Sequence, residues 1–472
     1  MKPIYNKILK ITLICLILFL YADISLARDI RVKLSDAGKY SISSNGAITL
    51  TDSANKSHSL GKSITLSVSG GAATVAGKKY SLPVTLKSSS PIGFKGFRYR
   101  GTLRVIRSGE LINILNIEDY LRGVLKAEAN PNWSMEYLKV QAIVSRTYAL
   151  RESQGARSRA YDVTDTISSQ VYHGINAETQ RTDSAVRETK DKVLVYGNEL
   201  AFTPFHSDSG GATANNSDVW GKELPYLRAT REPMSYQSPN SSWEVHIPES
   251  EVSIAVRKVT PNVGVVRDIK IINTDSFGRA VNLQITGSAS SATMRASAFR
   301  TAIGPNRLKS TFLTFPATNE ASQTSVNTNT ESNQAHQMDT AATNMKEELT
   351  PQEDAMLTQL FSEGAFSNAE MMEILMKPEK RKEFLYRALI RPKGSVPTNP
   401  TSGTSGNVTA ATGKSIPFAN GHFIFRGKGW GHGVGMSQYG AMNLARSGWN
   451  AERILTHYYP GTQVKAVTTQ KK

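Results

Sequence analysis

The sequence predicts an α+β protein. An antiparallel β region leads into a mixed α+β core, which a long, largely disordered and partly helical insertion interrupts. Three observations predict this. From Arg28 to about Leu115 the segments RVKL, KYSIS, AITLT, SITLSV, ATVAG and TLRVIR alternate apolar and polar residues between Gly, Asn, Asp and Ser breaks. Ser134 stands where it caps a helix running SMEYLKVQAIVSRTYALRES, with Glu136 near the positive end of its dipole. After Phe315 the chain turns Asn/Thr/Ser/Gln-rich, with too few apolar residues to bury.

Taken in order, residues 1–27 carry lysines at 2, 7 and 10, an apolar run from Ile8 to Tyr21, and Ser25-Leu26-Ala27. That is the pattern of a secretory signal peptide, and the run is short for a membrane span. A membrane contact is expected only if this leader stays uncleaved. Residues 28–95 are the β-rich region and 96–314 the first part of the core. In the helix after Ser134, Val140, Ile143, Val144, Thr147 and Tyr148 fall at spacings of three and four, predicting one buried face. Strands are expected at VLVYGNELAFTPFHS, VRDIKIINT and VNLQITG, and a short helix near SATMRASAFRTAI. The insertion spans 315–415, with amphipathic helical character from Met345 to about Ile390. The core resumes at 416–465, and 466–472 form a basic tail.

The 472 residues hold 56 Lys+Arg against 39 Asp+Glu, a net charge of +17 spread along the chain with no basic block. Nucleic-acid binders concentrate such charge and interleave it with aromatics, so the expected acidic partner of an exported chain is a cell-wall polymer, not nucleic acid. The single cysteine, Cys15, lies in the leader. The rest of the chain therefore has no disulfide, no thiolate metal ligand and no cysteine nucleophile.

Two motifs suggest chemistry that their surroundings do not support. His206-Ser-Asp-Ser-Gly-Gly211 resembles the serine loop of trypsin-like proteases, but no second histidine or aspartate has the context of a base and its orienter. A Gly-Gly turn after a strand is the plainer explanation. Gly427-KGWGHGVGMSQYG-440 packs six glycines into fourteen residues. No window satisfies the dinucleotide or P-loop spacing, and His432 has no partner histidine at a zinc-binding interval, so no cofactor and no metal are expected. Glu128 lies in YLRGVLKAEANPNW, where it is expected in a loop before Pro131, a position that suits a catalytic acid better than the helix carboxylate Glu136.

Four stretches together, YLRGVLKAEANPNWSMEYLKVQAIVSRTYAL, YDVTDTISSQVYHG, FTPFHSDSGGATANNSDVWGKELPYL and FRGKGWGHGVGMSQYGAMNLARSGWNAERILTHYYPGT, resemble the SpoIID/LytB family of bacterial envelope proteins. They occur in the family's order over roughly residues 96–314 and 416–465. The resemblance implies a SpoIID-like core and a lytic transglycosylase acting on peptidoglycan glycan strands, intact or stripped of peptide. Glu128, the glutamate of the GV-x-x-x-E motif, would be its one acid/base. It further implies substrate contacts from Arg146, Tyr148, Gln170, Tyr172, His206, Ser207, Ser209, Gly210, Trp220, Trp430, His432, Ser437 and Gln438, with Arg146 alternatively a core ion-pair partner.

In this picture the glycines admit the sugar chain, and Trp133 or Trp430 buries the acid. Some cysteine-bearing relatives hold a metal near the segment matching YDVTDTISSQVY. Thr164 and Ser169 stand here instead, and no such metal is expected. The competing expectation is a non-catalytic wall-binding enhancer of an N-acetylmuramoyl-L-alanine amidase. The expected location is the cell envelope, periplasm or wall.

Overall fold

A computed structural model describes residues 29–156, 159–166, 168–234, 238–315 and 413–467. The leader, the amphipathic stretch 345–390 with nearly all of the insertion, and the last five residues lie outside the described residues. The chain forms two compact units. The first comprises the chain up to Ser207 together with Lys222–Arg228 and the segment from Val434 onward, and the second comprises Asp208–Gly221 and Ala229–Gly433.

In the first unit the alternating segments build two sheets. One is seven-stranded and places Asp29–Ser35 beside Leu111–Asn116. It is antiparallel apart from a short parallel pairing of Asp29–Ser35 with Val163–Thr164. The other is six-stranded and antiparallel, with Lys39–Ser44 between Ser63–Ser69 and Ile92–Phe94. Alternation does what the period of two requires: Ile30, Val32 and Leu34 are buried on one strand, and Tyr40 and Ile42 on another.

Helices follow the sheets. Ile117–Glu128 is capped by Asn116, whose side chain accepts from the Glu118 N–H. Met135–Gly155 is capped by Ser134, as the sequence predicts. The expected single buried face of this longer helix is replaced by burial nearly all round, polar residues included. Gln141, Ser145, Arg146 and Thr147 are all buried beside Val140 and Val144. Each has its polar atoms engaged, which is what permits polar residues there. Thr147 Oγ1 donates to Ile143 O at 2.7 Å and accepts from Leu194 N at 2.9 Å.

The second unit has a core of Ile247, Val252, Val256, Ile269, Ile271, Leu283, Ile285, Phe299, Phe423 and Phe425. Its strand His422–Gly427, after the insertion, pairs antiparallel with Trp243–Pro248, before it. Val266–Thr274, Ala280–Gly287 and Ser291–Arg295 form a meander. Here the structure corrects one expectation: SATMR is a strand, and only Ala296–Ile303 is helical. Pairing with Asn282–Thr286 supplies the backbone partners that override the helical pattern.

Arg146 shows how tightly the first unit is built. Its side chain is fully buried and all five N–H donors find acceptors. Nε and one Nη meet the two oxygens of Glu118 at 2.9 and 2.7 Å, with Lys192 O, Val186 O and Thr189 Oγ1 completing the set. A lysine cannot reproduce this fork. Arg146→Lys is therefore expected to lower the urea midpoint of unfolding by the equivalent of about 3 kcal/mol, the cost of stranding a partly buried charge. An unchanged midpoint would show that the pair does not hold the fold.

Candidate active site

The helix Ile117–Glu128 ends on its glutamate. Ala129 turns to extended backbone, Pro131 holds Asn130 away from helical geometry, and Asn130 Oδ1 accepts from Asn132 N at 2.9 Å. Ser134 then starts the next helix. Glu128 thus closes a helix instead of lying in the expected loop. Gly123 lies in the middle of this helix. That glycine is required: a Cβ there would come within 2.4 Å of the Tyr172 ring.

The Glu128 side chain is largely withdrawn from water, and Oε1 accepts from the Val171 N–H at 2.6 Å. Burial pushes its pKa up to about 7, while the Val171 amide pulls the other way. Position adds to this, because a carboxylate in the last turn faces the negative end of the helix dipole. Two fully buried phenols are close enough to feel its charge. Tyr120 and Tyr137 are pushed well above the ordinary tyrosine range, by burial first and by Glu128 second.

The glycine-rich tail reaches this site through Gln438. Gln438 Nε2 donates to the backbone carbonyl of Glu128 at 3.0 Å, satisfying an acceptor that the helix end leaves open. The same nitrogen lies 3.4 Å from Gln141 Oε1, which also accepts from Tyr137 at 3.0 Å, and Gln141 Nε2 continues to Ser145 Oγ at 3.1 Å. Ser437 is the N-cap of the helix Gln438–Arg446 and accepts from Gly440 N. Met436–Ser437 pairs in parallel with Phe205–His206, and Tyr439 N donates to Ser207 O at 3.0 Å. His206 is buried with Nδ1 at 3.2 Å from Val434 O. Trp133 packs edge-on against Tyr137 and Tyr439, with ring centroids 4.7 and 5.3 Å away.

The other expected contacts fall in three groups. Arg146 is spent inside the fold. Gln170 and Tyr172 are buried and bonded to Tyr120 and Asn113. Tyr148 is half-buried, and burial raises its hydroxyl to about 12. Ser209, Gly210, Trp220, Trp430 and His432 belong to the second unit. There Asp208 and Trp430 exchange backbone bonds of 2.9 and 2.8 Å, and Ser209 Oγ donates to Glu232 at 3.0 Å. Trp220 and Trp430 are exposed, with His432 4.8 Å from the Trp220 ring and Lys309 over Trp430.

Two glycines of this stretch make room for the protein's own backbone. A Cβ at Gly429 would lie 2.7 Å from Asp208 O, and one at Gly435 2.2 Å from Pro204 O. At these two positions the lack of a side chain permits close backbone-to-backbone packing. Tyr120, Tyr137, Gln141 and Val171 were not singled out from the sequence. The spacing of Tyr137, Gln141 and Ser145, each four residues on, is the signal that places them on one helix face. Among the described residues no group of three or more His, Cys, Asp or Glu side chains could hold a metal, and no helix is long and apolar enough to cross a membrane.

The fold and site define an α+β protein with one desolvated glutamate at the junction of two helices. Residues 107–196 match the family described as SpoIID, stage II sporulation protein. An uncharacterized protein of Brachyspira hyodysenteriae is 32% identical over 215 residues, 42% of this chain and 58% of its own length. The amidase enhancer of Bacillus subtilis is 26% identical over 72% of this chain and 40% of its own, and that organism's stage II sporulation protein D is 29% identical over 33% and 47%. The chain thus spans between 40 and 58% of the length of these curated relatives. The matched segment and these two Bacillus relatives make the chain similar to the SpoIID/LytB family.

A carboxyl with a raised folded-state pKa makes stability depend on pH. The folded protein holds the Glu128 proton more tightly than the unfolded chain, whose value lies near 4.5. The stabilisation is complete below that value and is lost as pH rises through about 7. Glu128→Gln keeps an acceptor for Val171 but never ionises. It should therefore melt several degrees above wild type at pH 8, with the gap closing toward pH 4.5. The same gap at both pH values would contradict a desolvated acid.

Proposed function

We propose that the chain is an exported, envelope-located peptidoglycan lytic transglycosylase in which Glu128 is the single acid/base. The observation that carries this reading is the placement of the Glu128 carboxyl, held by the Val171 amide at 2.6 Å in surroundings whose burial pushes its pKa up to about 7. In the proposed reaction the Glu128 proton passes to the glycosidic oxygen between MurNAc and GlcNAc, and the C1–O bond breaks with oxocarbenium character. The carboxylate then takes the proton of the same MurNAc's C6 hydroxyl, whose oxygen bonds C1. The product is a 1,6-anhydro end, and the glutamate returns to its starting state. One carboxyl serves both steps, in contrast to the two that hydrolysis uses.

Exposed Trp220 and Trp430 supply flat apolar faces suited to sugar rings, with His432 and Lys309 as polar neighbours. The leader pattern at 1–27 supports export, and the net positive charge suits an anionic wall.

A second reading, a wall-binding stimulator of an amidase, is favoured by the alignment with the amidase enhancer over 72% of the chain. Sacculi, intact or stripped of stem peptides, separate the two. Wild type is expected to generate 1,6-anhydro-MurNAc ends by mass spectrometry, and Glu128→Gln to lose at least about a hundredfold, the scale of general acid catalysis. The rate should fall as pH rises above about 7, where the acid ionises. No anhydro product on either substrate, or equal product from the variant, would sink the enzyme reading. Stem-peptide release only on adding an amidase would support the enhancer.

A further inference from the structure

The segment that grips the acid is itself held from three directions. Gln170 is fully buried, and its Oε1 accepts from the Tyr120 hydroxyl at 3.1 Å. Its Nε2 has no partner among the described residues, so Tyr120 is the polar hold on that side chain. Two residues on, the Tyr172 hydroxyl donates to Asn113 Oδ1 at 2.8 Å. Asn113 is fixed in turn, its Nδ2 donating to Arg100 O at 2.9 Å and Thr102 O at 3.1 Å across the sheet. The Tyr172 ring fills the space left by the missing Cβ of Gly123, and His173 N donates to Gly123 O at 3.1 Å. Between these anchors lies the Val171 amide, 2.6 Å from Glu128 Oε1.

Tyr120 and Glu128 lie on the same helix, eight residues and about two turns apart. The acid and one anchor of its hydrogen-bond donor therefore share a rigid element. A backbone N–H moves only with the residues that flank it, and both flanking side chains are tied to buried partners. Such a donor binds a carboxylate better than a protonated carboxyl. The proposed reaction needs that carboxylate held in one place until it takes back a proton.

We infer that Tyr120, Gln170 and Tyr172 are positioning residues: by fixing the Val171 amide on Glu128 Oε1 they set how readily the acid releases its proton and where the resulting carboxylate sits. The inference rests on Glu128 being the acid of the proposed reaction, but its test does not need turnover. The full chain, with glutamate carboxyls labelled with carbon-13, is compared as wild type, Tyr120→Phe and Gln170→Met. Loss of one resonance in Glu128→Gln assigns the acid.

Both variants are expected to raise the Glu128 titration midpoint by about half a unit or more, because a donor to the charged form has been loosened. The Val171 amide is expected to exchange with solvent about tenfold faster. Gln170→Met leaves Tyr120 intact, so a folding defect in one variant does not remove the test. Unchanged midpoint and exchange in a folded variant would overturn the inference. If these shifts appear while wild type makes no anhydro ends, the transglycosylase reading fails and the positioning account stands.

Discussion

Keeping one carboxyl group out of water is the constraint on which the site depends. An ionised carboxylate is costly to bury, and the Val171 backbone amide offsets part of that cost for Glu128. The balance leaves the group able to hold a proton at neutral pH and able to release it. Much of the surrounding structure serves that balance. The helix Ile117–Glu128 ends at the acid, Gln438 satisfies the carbonyl exposed by that ending, and Tyr137, Gln141 and Ser145 extend the same hydrogen-bonded chain along the next helix. The bonds linking Gln438, Gln141, Tyr137 and Ser145 offset the cost of burying these polar groups.

Charge is handled differently a few turns away. Glu118, at the other end of the acid's helix, meets the fork of Arg146 and gains two short bonds. The two glutamates share a helix and have opposite surroundings: one is paired with a cation, the other is set against burial and held by a backbone amide. That contrast separates a carboxylate that holds structure from one that can do proton chemistry.

Much of this was legible in the sequence where the signals were local. Ser134 was recognisable as a cap because it precedes a helical run, and the β region announced itself through alternation. Glu128 stood out through motif resemblance, but its element was misjudged. The Tyr172 ring that occupies the space of a Cβ at Gly123 is a tertiary contact that the local sequence does not show. The bond from Gln438 to the Glu128 carbonyl was not legible because the two residues lie 310 positions apart in the chain. The glycines of 427–435 were visible as a demand for close approach, but not what approaches, and the answer is the backbone around Pro204 and Asp208. SATMR read as helix because its strand partner, Asn282–Thr286, is a tertiary fact.

The central claim is that Glu128 is a protonatable acid at neutral pH, and isotope-edited infrared spectroscopy reads this most directly. Subtracting the Glu128→Gln spectrum from that of wild type isolates the carbonyl stretch of this one protonated carboxyl. The account predicts a band present in full at pH 5 and about half lost near pH 7. A band already absent at pH 5 would mean an ordinary ionised carboxylate, and the account would be contradicted.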